Sequence, residues 1–153
     1  MGAEAQLASL GITVPDVVPP LAAYIPAVRT GNLVYTAGQL PARAGEMIAV
    51  GKVGGSVTEE EGYECARQCA LNALAAIRAE IGSLDNITRI VKAVVFVAST
   101  PDFTGQPKVA NGASDFLGEV FGDLGRHARS AVGVPVLPLD VPVEVELIVE
   151  VAG

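Results

Sequence analysis

Val143-Glu144-Val145-Glu146-Leu147-Ile148-Val149-Glu150-Val151 carries the clearest periodicity in the chain. Val143, Val145, Leu147, Val149 and Val151 recur at every second position, and in a β-strand that spacing puts them on one face. Glu144, Glu146, Ile148 and Glu150 fall on the other. The stretch reads as a strand with one face against a core. Upstream, residues 89–98 (RIVKAVVFVA) form a β-branched run, the signature of a buried central strand. Between the N-terminal third and that run lies the strongest helix signal, which opens at Thr58-Glu59-Glu60-Glu61. Thr58 is suited to cap, Glu61 sits at the capping-box position, and three acids face the positive end of the helix dipole. Ala66, Cys69, Ala70, Ala73, Leu74, Ile77 and Ile81 then recur at helical spacing, and Gly82 is a natural stop. So many alanines predict close packing on a sheet.

The remaining elements follow outward. Residues 3–10 read as a short helix ending at Gly11, and residues 15–20 as a Pro-rich extended passage. Residues 24–28, 33–39 and 45–50 read as three strands, with a turn at Thr30-Gly31-Asn32. A second helix is predicted over 108–121, and its interior Gly112 suggests a close backbone approach. Residues 130–136 make a further strand, turned into the last one at Pro138 and Asp140. The order predicts an α+β fold, a mixed six-stranded sheet with two helices on one face. It also predicts one domain over 1–153, with 1–22 as an N-terminal extension.

Composition limits the function. The chain has 153 residues, ten basic and seventeen acidic, for a net charge of −7. Nucleic-acid and anionic-membrane partners draw affinity from clustered Lys and Arg, and no run of three basic residues occurs here. No apolar stretch is long enough to span a bilayer, and the first eleven residues lack the basic and apolar regions of a signal peptide. Cys65 and Cys69, at i and i+4 on the predicted first long helix, suit small buried residues in a reducing compartment better than a disulfide or metal site. These features predict a cytoplasmic protein with no metal and no cofactor. Nucleotide, phosphoryl and zinc motifs are absent.

Three constellations carry candidate chemistry. His127, the one histidine, lies in Gly125-Arg126-His127-Ala128-Arg129-Ser130 just before a strand. Arg129 and Glu144 stand near the starts of successive strands, so a hairpin would bring them together. A guanidinium is built to grip a carboxylate, and a carboxylate beside it can orient water. Tyr24 and Gly38, the latter in Thr36-Ala37-Gly38-Gln39, offer a planar wall and a backbone N–H. Each has a bland alternative: an exposed loop His, a structural ion pair, a core Tyr and a strand-end Gly.

Tyr24-Ile25-Pro26-Ala27-Val28, Gly31-Asn32-Leu33-Val34-Tyr35-Thr36-Ala37-Gly38-Gln39-Leu40-Pro41, Ala128-Arg129-Ser130-Ala131-Val132, Leu137-Pro138 and Val143-Glu144-Val145-Glu146 together resemble the RidA (reactive intermediate deaminase) family, also called YjgF-like or endoribonuclease L-PSP. The resemblance runs from residue 24 to 151. Residues 106–115 and 125–134 resemble a longer sub-branch of that family. The resemblance implies a chorismate-mutase-like fold, a homotrimer with clefts between subunits, and hydrolysis of enamines and imines to 2-oxo acids and ammonia without a cofactor. It further implies that Arg129 clamps a substrate carboxylate and Glu144 positions water. Gly38 and Asn111 would contact substrate, and Tyr24 would wall the cleft from a neighbouring subunit. Ala131 replaces a Cys found in many deaminases and alters the cleft floor, while His127 would reshape the pocket. A non-catalytic module binding small carboxylates is the alternative. Ribonuclease activity, which the old family name claims, is opposed by the charge.

Overall fold

The computed structural model describes residues 1–17, 19–20 and 22–153. Val18, within the expected Pro-rich passage, and Leu21, within the expected N-terminal extension, lie outside them. Seven strands and three α-helices occur among the described residues. They are α1 (Ala3–Ser9), β1 (Ala27–Thr30), β2 (Leu33–Thr36), β3 (Ala42–Arg43), β4 (Glu46–Met47), α2 (Glu59–Ile81), β5 (Ile87–Ala98), α3 (Gln106–Phe121), β6 (Ala128–Val134) and β7 (Val143–Val151).

The main sheet runs β1-β2-β7-β5-β6, with β5 and β6 parallel and every other pair antiparallel. The mixed sheet is as expected, but it has five strands and not six. The predicted third strand, 45–50, shrinks to β4 and pairs with β3 in a separate two-stranded ribbon. Asn72 of α2 explains the departure. Its Nδ2 donates to the carbonyls of Leu40 and Ala42, at 2.9 Å each, and ties the ribbon to the helix.

A second difference concerns the connection between β6 and β7. It resembles a hairpin in the sequence, yet β5 lies between the two strands. The reason is upstream. A strand, crossover helix and strand in succession favour a parallel pair, so α3 returns the chain to lay β6 beside β5 with the same polarity. The chain then passes the end of β5 through a 3-10 turn, Pro138–Asp140, where Leu139 and Asp140 take φ of 58° and 56°. Asp140 is held there by Lys52 Nζ at 2.5 Å and by the Gly51 amide at 2.7 Å.

Thr58 caps α2 by accepting from the Glu61 amide at 3.1 Å, and Gly82 ends the helix at φ 88°. Six of its seven predicted core residues are buried, with Ile81 only partly so. Cys65 and Cys69 are free, buried thiols. Burial pushes Cys65 up to about 12 and Cys69 upward as well, so both stay protonated and unreactive. α3 packs across α2 at Gly112, where an added Cβ would overlap the backbone carbonyl of Tyr63. The close approach suggested by that glycine is therefore real. Helix α1 docks at the far end, where Gln6 donates to the Glu119 carbonyl at 3.0 Å and the Glu4 amide to Asp85 at 2.9 Å.

β7 fulfils its alternation. Val143, Val145, Leu147, Val149 and Val151 are buried against the helices, while Glu144, Glu146 and Ile148 are partly exposed on the opposite face. Among the described residues, helices cover one face only. On the other, Val28, Tyr35, Val94, Phe96, Val132 and Ile148 remain partly or largely accessible.

Candidate functional site

Directly paired residues share a face of a sheet, and this rule places the candidate side chains. Arg129 pairs with Ala93, which pairs with Leu147; both partners are buried under the helices. Glu144 pairs with Phe96, which pairs with Val132, on the uncovered face. Arg129 and Glu144 thus emerge from opposite faces. Two strand spacings and three residues along the strand put their Cα atoms roughly 14 Å apart. The expected hairpin contact does not exist within one chain.

What surrounds Arg129 is a different group. Its Nη1 donates to Asn111 Oδ1 at 2.8 Å and to Ser114 Oγ at 3.1 Å. Both partners stand on α3, three residues apart and so on one helix face. Ser114 Oγ lies 2.9 Å from His127 Nε2, and His127 Nδ1 lies 2.6 Å from the Gly125 carbonyl. A carbonyl only accepts, so His127 Nδ1 carries a proton and donates it to Gly125. The guanidinium uses Nη1 alone. Its Nε and Nη2 hydrogens, the edge that takes a carboxylate side-on, have no partner among the described residues. Ser114, Gly118, Gly122, Gly125, Arg126, His127 and Arg129 line a cavity of about 370 Å³ with no acidic residue in its wall.

The second group is built around Gly38. An added Cβ there would overlap the Glu144 carboxylate, so glycine lets that side chain lie across the backbone. Burial first, and then the neighbouring Glu146 charge, push the Glu144 carboxyl above its ordinary range. Gly38 also lines a cavity of about 330 Å³ with Tyr24, Pro26, Leu40, Met47 and Leu139. Tyr24 stands in the loop before β1 and not in a strand as expected, and it is half exposed.

The predicted residues therefore form two sets: Arg129, Asn111 and His127 at the β6 edge, and Tyr24, Gly38 and Glu144 beyond β2. Ala131 lies on the same face of β6 as Arg129 and packs against the core. Sequence reasoning missed Ser114 and Arg126. Ser114 stands three residues after Asn111 on a predicted helix, and that spacing was the available signal.

A family model described as "YjgF/chorismate mutase-like, putative endoribonuclease" matches residues 4–151. The chain belongs to the RidA/YjgF family. Among RidA/YjgF proteins, Protein TCP17 of Trypanosoma cruzi is 45% identical over 147 residues, covering 95% of this chain and 92% of that protein. A 2-iminobutanoate/2-iminopropanoate deaminase of Dermatophagoides farinae is 31% identical, covering 90% and 93%. The crystal structure of Atu1372 from Agrobacterium tumefaciens superposes with a TM-score of 0.91 at 42% identity, covering 98% of this chain and 92% of that one. The RidA/YjgF fold, mixed sheet backed by helices, is thus the fold described above.

The raised Glu144 carboxyl has a measurable consequence. Its charged form is disfavoured in the folded chain, so it costs stability above the unfolded carboxylate range. That cost disappears as pH falls through its folded value and then below about 4.3. Glu144→Gln is expected to raise Tm at pH 7, with the difference shrinking toward pH 4 in paired thermal melts.

Proposed function

We infer that this RidA/YjgF protein hydrolyses small reactive 2-imino acids, and the enamines in equilibrium with them, to 2-oxo acids and ammonia. The observation that carries the reading is Arg129. Two α3 side chains anchor one guanidinium nitrogen, the Nε and Nη2 hydrogens have no partner among the described residues, and Arg129 lines a cavity with no acidic wall. A carboxylate gripped there would fix an electrophilic imine carbon in position, which removes much of the orientational cost of water attack. The named deaminase among the relatives supports the same chemistry.

In this reading the working form is a ring of three subunits. β6 and β1 are the two edges of the sheet, and a closed head-to-tail ring would set the β6 edge of one protomer beside the opposite edge of the next. Arg129 would then face a neighbour's Tyr24, Gly38 and Glu144, and the uncovered sheet faces would line the centre. Glu144, its carboxyl raised by burial, would orient the attacking water and accept a proton from it. Two free, buried thiols fit a reducing, cytoplasmic setting.

The separation of Glu144 from Arg129 within one chain favours a second reading, a module that binds small carboxylates without turning them over. One experiment separates the two. With 2-iminobutanoate generated enzymatically in the presence of semicarbazide, the deaminase lowers semicarbazone yield in proportion to its concentration. A module would be stabilised by 2-oxobutanoate in thermal melts and leave the yield unchanged.

A further inference from the structure

We propose that Arg126 is a specificity-determining residue that holds a second carboxylate, so that the Arg129 cavity takes 2-imino dicarboxylic acids in preference to monocarboxylic ones. The inference rests on the deaminase reading, in which Arg129 grips the carboxylate beside the imine carbon, and it names the class of substrate.

The wall of that cavity carries the inference. Arg126 and Arg129 line the same space of about 370 Å³, and no acidic residue stands among its lining residues. The ion pairs among the described residues are Lys52–Asp140, Arg67–Glu119 and Arg78–Glu4, and Arg126 belongs to none of them. The whole chain has seventeen acidic residues against ten basic ones. Two arginines in one cavity without a carboxylate between them therefore make a local reversal of sign. Such a site favours an anion with more than one charge, and a guanidinium matches a carboxylate in shape as well as sign.

The fold keeps nearby acids out of the cavity. Asn111 and Ser114 turn one face of α3 to Arg129, and Gly118 continues that face into the cavity wall. Asp115 and Glu119 stand one position further round the helix and are taken by α2. Tyr63 donates to Asp115 at 2.8 Å, and Arg67 pairs with Glu119 at 3.3 Å. Asp123 is exposed and outside the wall, and only its backbone carbonyl meets Arg126, accepting from the amide at 3.2 Å. The floor is bare as well. A Cβ on Gly118 would meet nothing within 4 Å, so packing does not demand glycine there, and its small size leaves the space to a ligand.

Chain geometry sets the span. Arg126 is extended at φ −72° and ψ 117°, and β6 begins two residues later. Three extended residues put the Cα atoms of Arg126 and Arg129 at most about 10 Å apart. Two long side chains across that distance can close on the two ends of a short diacid such as 2-iminosuccinate or 2-iminoglutarate. The reaction itself is unchanged. 2-Iminoglutarate and water give 2-oxoglutarate and ammonia, and the second carboxylate takes no part in making or breaking bonds.

The test compares ligands that differ by one carboxylate. The full-length protein is titrated calorimetrically with 2-oxoglutarate and with 2-oxobutanoate, the products of a dicarboxylic and a monocarboxylic substrate. The wild type is expected to bind 2-oxoglutarate about five- to ten-fold more tightly, a preference that shrinks with added salt because Arg126 is exposed. Arg126→Ala should bring the ratio of affinities to within about two-fold of unity, Arg126→Lys should keep part of it, and Arg126→Glu should invert it. The ratio is the readout because a merely structural loss weakens both ligands alike. The ratio of kcat/KM for 2-iminoglutarate over 2-iminobutanoate should follow the same order across the four proteins. Equal affinity of the wild type for both ligands, a preference that survives Arg126→Ala, or sulfate bound as tightly as 2-oxoglutarate overturns the proposal, and turnover of 2-iminobutanoate then leaves the deaminase reading in place. A 2-oxoglutarate preference that Arg126→Ala abolishes, with neither imine turned over, upholds the second-carboxylate site and overturns the deaminase reading.

Discussion

Arg129→Ala is expected to lower kcat/KM for 2-iminobutanoate by at least about 100-fold. Hydrogen bonds to a charged partner are worth about 1.5–3 kcal/mol each, and the free edge of Arg129 offers two. At about 1.4 kcal/mol per decade, that corresponds to roughly 100- to 10,000-fold. Arg129→Lys should lose much of the same activity. A single ammonium cannot hold Asn111 and Ser114 and still present two parallel donors. Stability should fall modestly in the Ala variant, because the Asn111 Oδ1 and Ser114 Oγ acceptors lose a charged donor in a partly buried setting. Kinetics with semicarbazide competition, beside a thermal melt of each variant, separate the two effects. Wild-type kcat/KM in a folded Arg129→Ala protein would remove the carboxylate clamp.

Gly112→Ala is expected to destabilise the fold by about 2 kcal/mol net, although alanine is the better helix former. The propensity gain is about 1 kcal/mol. Against it, the new methyl would overlap the Tyr63 carbonyl and crowd Ala66 at 3.1 Å, so α3 must move off α2. Overpacking of this kind costs about 3 kcal/mol. For a chain of this size the net loss lowers Tm by roughly 4–8 °C. Gly118→Ala on the same helix should do the opposite, since a Cβ there meets nothing within 4 Å. Calorimetry of the two variants gives opposite signs if the helix crossing is as described. A stabilised Gly112→Ala would contradict it.

The contrast between those glycines shows what the sequence can and cannot carry. A glycine inside a helical pattern announces itself, because it works against propensity, but its reason lies in another element. For Gly112 the reason is Tyr63, forty-nine positions away. β7 and α2 were legible almost to the residue, since alternation and capping are local signals set by the chain's own geometry. Sheet order was not. Eight residues around Pro138 look the same whether β6 and β7 pair or flank β5, and the crossover through α3 decides between them. The same limit applies to the site. Arg129 and Glu144 stand out through motif spacing, whereas their opposite faces follow only from register with β5. Ser114 was marked only by its three-residue spacing from Asn111, and it carries meaning here because Arg129 and His127 converge on it.

The most direct measurement is a crystal structure of the protein grown with 2-oxobutanoate. The expected result is the ligand carboxylate on Arg129 Nε and Nη2 at about 2.8 Å, with Tyr24, Gly38 and Glu144 of an adjoining subunit around the 2-oxo carbon. A ligand bound away from Arg129, or an assembly that leaves Arg129 and a neighbour's Glu144 in separate environments, would contradict the account.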